Sequence, residues 1–175
     1  MEGKIDVMSA FPEIDAQLAN GTAPDFATAD TPTALRESVD LVERAKRAAI
    51  STVMKGAMKF MATMREEQEF LEYAANQLIT IYAMDSAVAR ALDAVKEGGV
   101  DARAHELLAQ IAVLRLLPET RAAMEGALTM TFEGDERREE IAKVHRFLGD
   151  PEADVVPLQR ELAGIVSARG GYPLK

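Results

Sequence analysis

The sequence has no cysteine and no tryptophan, and aromatic residues make up only 5% of it. The lack of cysteine excludes a disulfide framework, a thiolate metal site and a cysteine nucleophile. The same lack favours a reducing compartment, and we therefore predict a cytoplasmic location. Because strands favour aromatic and β-branched residues, whereas Ala, Leu and Met suit helices, this composition favours an all-α protein.

Long apolar runs and an excess of basic residues are also missing. Lys and Arg total 20 against 29 Asp and Glu, which gives a formal net charge of −9. No stretch approaches the roughly 18 apolar residues that cross a bilayer, and the N-terminus lacks the basic start and apolar segment of a signal peptide. Nucleic-acid binding requires clustered Lys and Arg, so we predict no nucleic-acid partner. Peripheral membrane contact is left open, although the acidity disfavours anionic lipid.

Apolar residues recur at spacings of three and four along nearly the whole chain, which predicts an all-α fold. We expect a single domain over residues 1–175, with a short N-terminal helix at 1–20, a flexible linker at 21–32 and a main bundle at 33–172. The connections are short and contain glycine. They therefore predict an up-and-down antiparallel helical bundle of long helices with short additional ones.

Local signals predict where helices begin, bend and end. We expect Thr31 to cap a long helix with Pro32 at its first position. A bend or a change of helix is expected at the polar cluster Arg65–Glu69. Because proline removes a backbone hydrogen bond, Pro12 should kink or delay the first helix, and Pro118 should kink or briefly interrupt a later one.

The segment from Glu69 to Lys96 carries the most regular pattern. Its apolar residues form two heptad rows: Leu71, Leu78 and Leu92 in the first, and Ala74, Ile81, Val88 and Val95 in the second. Together the rows predict the apolar seam of a bundle helix.

Two residues on predicted apolar faces break the pattern. Gly56 costs about 1 kcal/mol relative to alanine in a helix, so we expect a neighbouring backbone to approach it closely. Asp85 falls in the first heptad row, and a buried carboxylate needs a partner. It could form an ion pair that sets the helix register, or act as a general base or ligand-holding group; the ion pair is favoured because no second titratable group shares this helical face. The candidate cations are Arg44, Arg90 and Arg115.

A methionine-rich stretch has basic residues beside it. The methionines are Met54, Met58, Met61 and Met64, and the basic residues are Lys46, Arg47, Lys55 and Lys59. We interpret the methionines as core filler, with an adaptable binding surface as the alternative. The basic residues are expected on a solvated face, with an acidic partner or a membrane as the alternatives.

Familiar catalytic motifs are missing from the sequence. A di-iron bundle needs Glu-x-x-His, but Ala102 and Ala142 precede the only histidines, His105 and His145, by three residues. Both histidines are expected at the surface. The sequence has no glycine-rich phosphate loop and no Gly-x-Ser-x-Gly elbow. We therefore predict no catalytic, cofactor-binding or metal-binding residue in this chain.

Several segments nevertheless resemble a known family. They are Glu67-Gln68-Glu69-Phe70-Leu71, the stretch from Ile79 to Arg90, Glu133-Gly134-Asp135-Glu136, Ala168-Arg169-Gly170-Gly171-Tyr172 and the opening Glu2-Gly3-Lys4-Ile5. Their order resembles the C-terminal helical extension of the acyl-CoA dehydrogenase family, in its long-chain and very-long-chain-like members. Asp85 stands where that family usually has Glu.

The resemblance implies that the flavin, the acyl-CoA and the proton-abstracting Glu belong to preceding domains, so that FAD is expected in the parent protein and no cofactor in this chain. The chain would be a non-catalytic domain of an FAD-dependent acyl-CoA dehydrogenase of fatty acid β-oxidation, serving packing, oligomerisation or docking, with the catalytic part as its partner. One alternative is a stand-alone interaction module that forms a homodimer through its methionine-rich face. A small independent bundle enzyme is another.

Overall fold

The computed structural model describes residues 7–171, and within them the predicted all-α fold is confirmed. The α-helices are α1 (Val7–Asn20), α2 (Arg36–Phe60), α3 (Gln68–Glu97), α4 (Ala102–Thr131), α5 (Gly134–Leu148) and α6 (Val155–Arg169). Short 3-10 helices at Thr33–Leu35 and Met61–Thr63 lie on either side of α2. Residues 1–6 of the predicted N-terminal helix, the resemblance at Glu2–Ile5 and residue Tyr172 at the end of the predicted bundle lie outside the described residues.

The chain divides into two compact units, each built from separate segments. Unit 1 comprises residues 1–24, 44–79 and 119–149. Unit 2 comprises residues 25–43, 80–118 and 150–175. Helices α2, α3 and α4 each contribute one part to each unit.

Aromatic and aliphatic side chains from five helices fill the core of unit 1. Its fully buried members include Leu18, Phe70, Met124, Leu128 and Phe147. The Phe70 ring lies 5.2 Å from the ring of Phe60, centroid to centroid, in a tilted arrangement that aromatic pairs favour. Because the buried residues recur at helical spacing, each helix directs one apolar stripe into this core.

The buried hydrophobic residues described in unit 2 are aliphatic residues and methionine, whereas unit 1 also buries Phe70 and Phe147. Its buried residues include Leu35, Met84, Ala91, Leu107 and Leu117. Helix α6 is held to α4 by polar contacts. The Nε and Nη2 atoms of Arg103 donate to the two carboxylate oxygens of Glu161 at 2.7 and 2.8 Å, and Arg169 pairs with Asp101. Such a two-bond pairing fixes the orientation of the side chains more than a single contact would.

Helix α3 turns only one of its two predicted heptad rows inward. Ala74, Ile81 and Val88 of the second row are buried. Leu71 and Leu78 of the first row are exposed, so the prediction that both rows form one seam is wrong. The other buried positions are Phe70, Gln77, Met84 and Ala91. They alternate with the second row at spacings of three and four, which leaves Leu71 and Leu78 on the outside of the helix, whereas Leu92 of the first row is half-buried.

The long helical pattern begins later and breaks earlier than predicted. Pro32 has φ −52° and ψ 135°, which is not helical, and α2 starts only at Arg36. The Thr31 hydroxyl does not cap a helix. Its Oγ1 atom accepts a hydrogen bond from the backbone N–H of Thr28, with 3.0 Å between the two heavy atoms. A change of helix is confirmed, but it begins at Met61, ahead of the predicted polar cluster. Met61 has φ +40°, which is sterically unfavourable for any residue other than glycine. This backbone conformation interrupts the helix directly after the end of α2.

The prolines interrupt their helices less than predicted. Helix α4 runs through Pro118 and α1 runs through Pro12, so neither proline breaks its helix, whereas a kink at either proline stays a prediction. The expected close approach at Gly56 is confirmed in part. A Cβ at Gly56 would lie 2.0 Å from Cζ of Phe70, so the neighbour is an aromatic ring and not a backbone.

Candidate functional site

A half-buried ionic cluster joins α1, α2 and α5 in unit 1. The Nζ atom of Lys55 lies 2.6 Å from Oδ1 of Asp15 and 2.5 Å from Oε2 of Glu140. Ser51 donates to Asp15 at 2.9 Å, and Lys143 donates to Glu140 at 2.6 Å. The Lys55 side chain is only 11% exposed, so the prediction that it lies on a solvated face is wrong. Its carboxylate partners come from helices far away in sequence, which the local pattern could not reveal.

The environment of this cluster keeps both carboxylates ionised. Burial raises the pKa of Asp15, but hydrogen bonds from Lys55 and Ser51 outweigh burial and leave the pKa below its ordinary value. Burial likewise raises the pKa of Glu140, and hydrogen bonds from Lys143 and Lys55 bring it below its ordinary value. Catalytic general acids need the opposite shift. The ion pairs of the cluster connect α1, α2 and α5.

Lys59 lies one turn after Lys55 in α2, and its side chain caps the C-terminal end of α4. Its Nζ donates to the backbone oxygens of Met130 at 3.1 Å and Thr131 at 2.7 Å. These carbonyls end α4, where a cation satisfies free acceptors and the negative end of the helix dipole. Lys59 is exposed, as predicted, but it has a definite structural partner within unit 1.

The methionine-rich stretch is divided between interior and surface. Met54 and Met64 are half-buried, whereas Met58 is exposed and Met61 is 76% exposed. The interpretation of all four as core filler is therefore wrong for Met58 and Met61. Met58 lies in the last turn of α2, and Met61 lies at the change of helix that follows it.

Asp85 lies beside a small cavity of about 120 Å³ in unit 2. It is half-buried, so the predicted burial on an apolar seam is wrong. Glu43, from α2, lines the same cavity, and α3 alone could not show this second carboxylate. The other lining residues are Val39, Val42, Val88, Ala89 and Leu92. Two hypotheses about Asp85 stay predictions. One is an ion pair with an arginine, and the other is a role as a general base or ligand-holding group.

One groove in unit 1 was not predicted from the sequence. It has a volume of about 540 Å³ and is lined by Glu69, Tyr73, Ala122, Glu125, Gly126, Thr129 and Met130. A Cβ at Gly126 would lie 2.4 Å from the ring of Tyr73, so glycine is what allows the ring to pack there. The sequence feature that could have indicated this close packing is a glycine inside an apolar helical pattern, as at Gly56.

The chemistry of this groove does not suit a flavin dinucleotide. Two carboxylates, Glu69 and Glu125, line it, and they would repel a pyrophosphate. The Thr129 hydroxyl donates to the backbone oxygen of Glu125 at 2.8 Å. The Nε2 atom of His145 lies 2.6 Å from Oε1 of Glu125. The lining therefore offers neither a cationic cradle for phosphates nor an activated nucleophile.

The histidines lie apart from any metal-ligand geometry in the part of the chain that the structure describes. His145 is exposed, as predicted, whereas His105 is half-buried. Between residues 7 and 171, no three His, Asp or Glu side chains lie close enough together to hold a metal ion. None of the described helices is long and apolar enough to span a membrane.

Sequence comparison identifies the family. The family described as "Acyl-CoA dehydrogenase, C-terminal domain" matches residues 36–146, which is more than half of the chain. The chain belongs to this family. Helices α2, α3 and α4 and most of α5 lie within the matched range, and the resemblance in the sequence is thereby confirmed.

Two relatives agree with this membership of the acyl-CoA dehydrogenase C-terminal domain family. The chain is 29% identical over 136 residues to a probable acyl-CoA dehydrogenase of Bacillus subtilis (strain 168), covering 77% of this chain and 23% of the relative. Its fold is similar to that of an acyl-CoA dehydrogenase from Bacillus anthracis, solved in complex with FAD, with a TM-score of 0.81 and 22% identity. That match covers 96% of this chain and 28% of the other. The chain thus spans about a quarter of the length of these relatives.

Proposed function

We propose that this chain is a non-catalytic helical domain of an FAD-dependent acyl-CoA dehydrogenase that acts in fatty acid β-oxidation. The observation that carries the proposal is the family match over residues 36–146. The B. anthracis relative is an acyl-CoA dehydrogenase in complex with FAD, which supports FAD as the cofactor of the parent protein.

The chemistry of the described residues supports an accessory role. The polar cluster around Lys55 has carboxylates with lowered pKa values, and the groove lined by Glu69 and Glu125 presents carboxylates where a flavin would need cations. We infer that the domain serves packing or docking, with the catalytic part of the parent protein as its partner. The cytoplasmic location expected from the lack of cysteine stays a prediction.

The coding region of the natural gene provides the first test. We expect the open reading frame to encode, ahead of the present residue 1, a flavin-binding acyl-CoA dehydrogenase part of several hundred residues. The matched relatives extend well beyond the region similar to this chain, which supports this expectation. A natural start at Met1, with no such part encoded in the same frame, would contradict the proposal.

The exposed methionines favour one alternative, a stand-alone module that forms a homodimer. Met58 and Met61 present a flexible apolar surface in unit 1. The net charge of −9 opposes this alternative because two acidic copies repel each other. Light scattering over a range of concentrations would separate the two: a dimer that Met61→Glu abolishes would favour the homodimer.

A further inference from the structure

Helix α3 presents an exposed apolar face within unit 1. Leu71 is 38% exposed, Leu78 58% and Ile79 64%. Spacings of seven and eight residues place the three side chains on one side of the helix. We call Leu71, Leu78 and Ile79 the α3 outer face. Along the same helix, the next residue of this series, Tyr82, is 75% exposed.

The opposite side of α3 is already buried. Phe70 and Ala74 face the core of unit 1, together with the polar Gln77, so this part of the helix carries apolar side chains on two sides. A helix that is apolar all round is typical of one covered on all sides. Single exposed apolar residues are common on protein surfaces, whereas adjacent ones mark interaction sites. The α3 outer face therefore has the composition of a surface that is covered in the complete protein.

The charge pattern fits close packing against protein. No charged residue occurs from Tyr73 to Met84. Because removing charges from water is costly, the centre of a stable protein interface is depleted of them. Leu78 and Ile79 could therefore lose their water without leaving an unpaired ion. Exposed Glu72 lies seven residues before Ile79, so the same does not hold for the part of the outer face at Leu71.

We propose that the α3 outer face is the surface through which this domain docks on the catalytic part of its own polypeptide. This inference rests on the proposed function and adds the location of the contact. About three quarters of each relative's length lies outside the region that this chain matches. A partner tethered on the same polypeptide acts at an effective concentration in the millimolar range, so even a modest apolar patch would stay covered.

Two other occupants fit the molecule less well. A second copy has no tether and would bring two chains of net charge −9 together. An anionic membrane would meet the same repulsion, and the stretch Tyr73 to Met84 offers no basic residue to attract it.

The lack of cysteine makes the test direct. Single variants Leu78→Cys and Ile79→Cys each introduce the only thiol of this chain, and Val100→Cys is the control because Val100 is 92% exposed and lies outside α3. Each variant is made in the isolated chain and in the full-length polypeptide encoded by the natural gene. Maleimide labelling of the cysteine-containing peptide is followed by mass spectrometry, so that thiols elsewhere do not interfere.

We expect labelling at Leu78→Cys and Ile79→Cys to be at least about tenfold slower in the full-length polypeptide than in the isolated chain, a factor that corresponds to about 1.4 kcal/mol. The Val100→Cys control should label at similar rates in both. Equal rates at all positions in the two proteins, or equal slowing at all three positions, would overturn the assignment. Protection in the isolated chain that grows with its concentration, or on adding anionic vesicles, would assign the face to a second copy or a membrane and overturn it too.

Flavin content, measured by absorbance on the same full-length samples, separates this inference from the proposed function. One outcome is a full-length protein that binds flavin but whose Leu78→Cys and Ile79→Cys thiols react as fast as in the isolated chain. This outcome would agree with the proposed function and refute the docking assignment of the α3 outer face. A full-length protein without flavin would refute the function, whatever the labelling pattern.

Discussion

At the residue scale, Gly56 shows a steric requirement that overrides helix propensity. Alanine is intrinsically the better helix former by about 1 kcal/mol. A Cβ here would lie 2.0 Å from the ring of Phe70, which is itself buried. Because such overpacking costs about 1–3 kcal/mol, we expect Gly56→Ala to lower the free energy of unfolding by about 2 kcal/mol, measured by urea denaturation.

Gly164 provides the matched control for this substitution. It lies inside α6, and a Cβ there would meet no atom within 4 Å. We expect Gly164→Ala to raise the free energy of unfolding by up to about 1 kcal/mol. Equal effects at the two glycines would show that the Phe70 contact does not determine the residue at position 56.

Lys55 is the second residue whose role the structure defines. Lys55→Met keeps most of the side-chain volume and removes the cation shared by Asp15 and Glu140. Breaking a fully buried pair costs about 3–5 kcal/mol, but Asp15 is partly exposed, so we expect a loss of about 2 kcal/mol in the free energy of unfolding. Arg138→Met, in an exposed pair with Asp135, should change stability by less than about 1 kcal/mol. Similar losses in both variants would refute a special role for the Lys55 cluster.

At the element scale, α3 allows one substitution to be compared on two faces. Ile81 is 6% exposed, whereas Leu78, less than one turn away, is mostly exposed. Ile81→Asp should lower the free energy of unfolding by more than about 3 kcal/mol, because it buries an unpaired charge. Leu78→Asp in the isolated chain should change it by less than about 1 kcal/mol. Chemical denaturation of both variants checks the orientation of the helix, and a larger loss at Leu78 would reverse it.

The same helix shows how far the sequence could predict the fold. Periodicity predicted the all-α class, and the predicted segments that end at residues 20 and 96 match the ends of α1 and α3 within one residue. Periodicity could not tell which heptad row of α3 faces inward, because both rows are apolar and only packing distinguishes them. For the same reason Asp85 was predicted to be buried, and the Lys55 cluster was missed because Asp15, Lys55 and Glu140 are brought together only by tertiary structure.

At the scale of the whole molecule, the Lys55 cluster should make stability depend on acid. The pKa values of Asp15 and Glu140 are lowered on folding, from ordinary values of 3.8 and 4.5. Their stabilisation is therefore complete above these values and is lost as the pH falls through 4.5, then 3.8 and below. We expect the free energy of unfolding, measured by circular dichroism in urea, to fall in this range.

The Lys55→Met variant is the control for this pH dependence. Without the shared cation the carboxylate pKa values lie closer to their ordinary ones, so the decrease in stability on acidification should be smaller than in the unaltered chain. Equal acid sensitivity of the two proteins would place its origin in other carboxylates.

The proposed function assigns the dehydrogenase chemistry to another part of a longer polypeptide and none of it to this domain. The most direct measurement is bleaching of flavin absorbance on adding an acyl-CoA under anaerobic conditions, compared between the isolated chain and the full-length polypeptide. We predict that the full-length protein holds FAD that the acyl-CoA reduces, and that the isolated chain shows no flavin absorbance even after incubation with FAD. Flavin binding and acyl-CoA-dependent bleaching by the isolated chain would contradict the account.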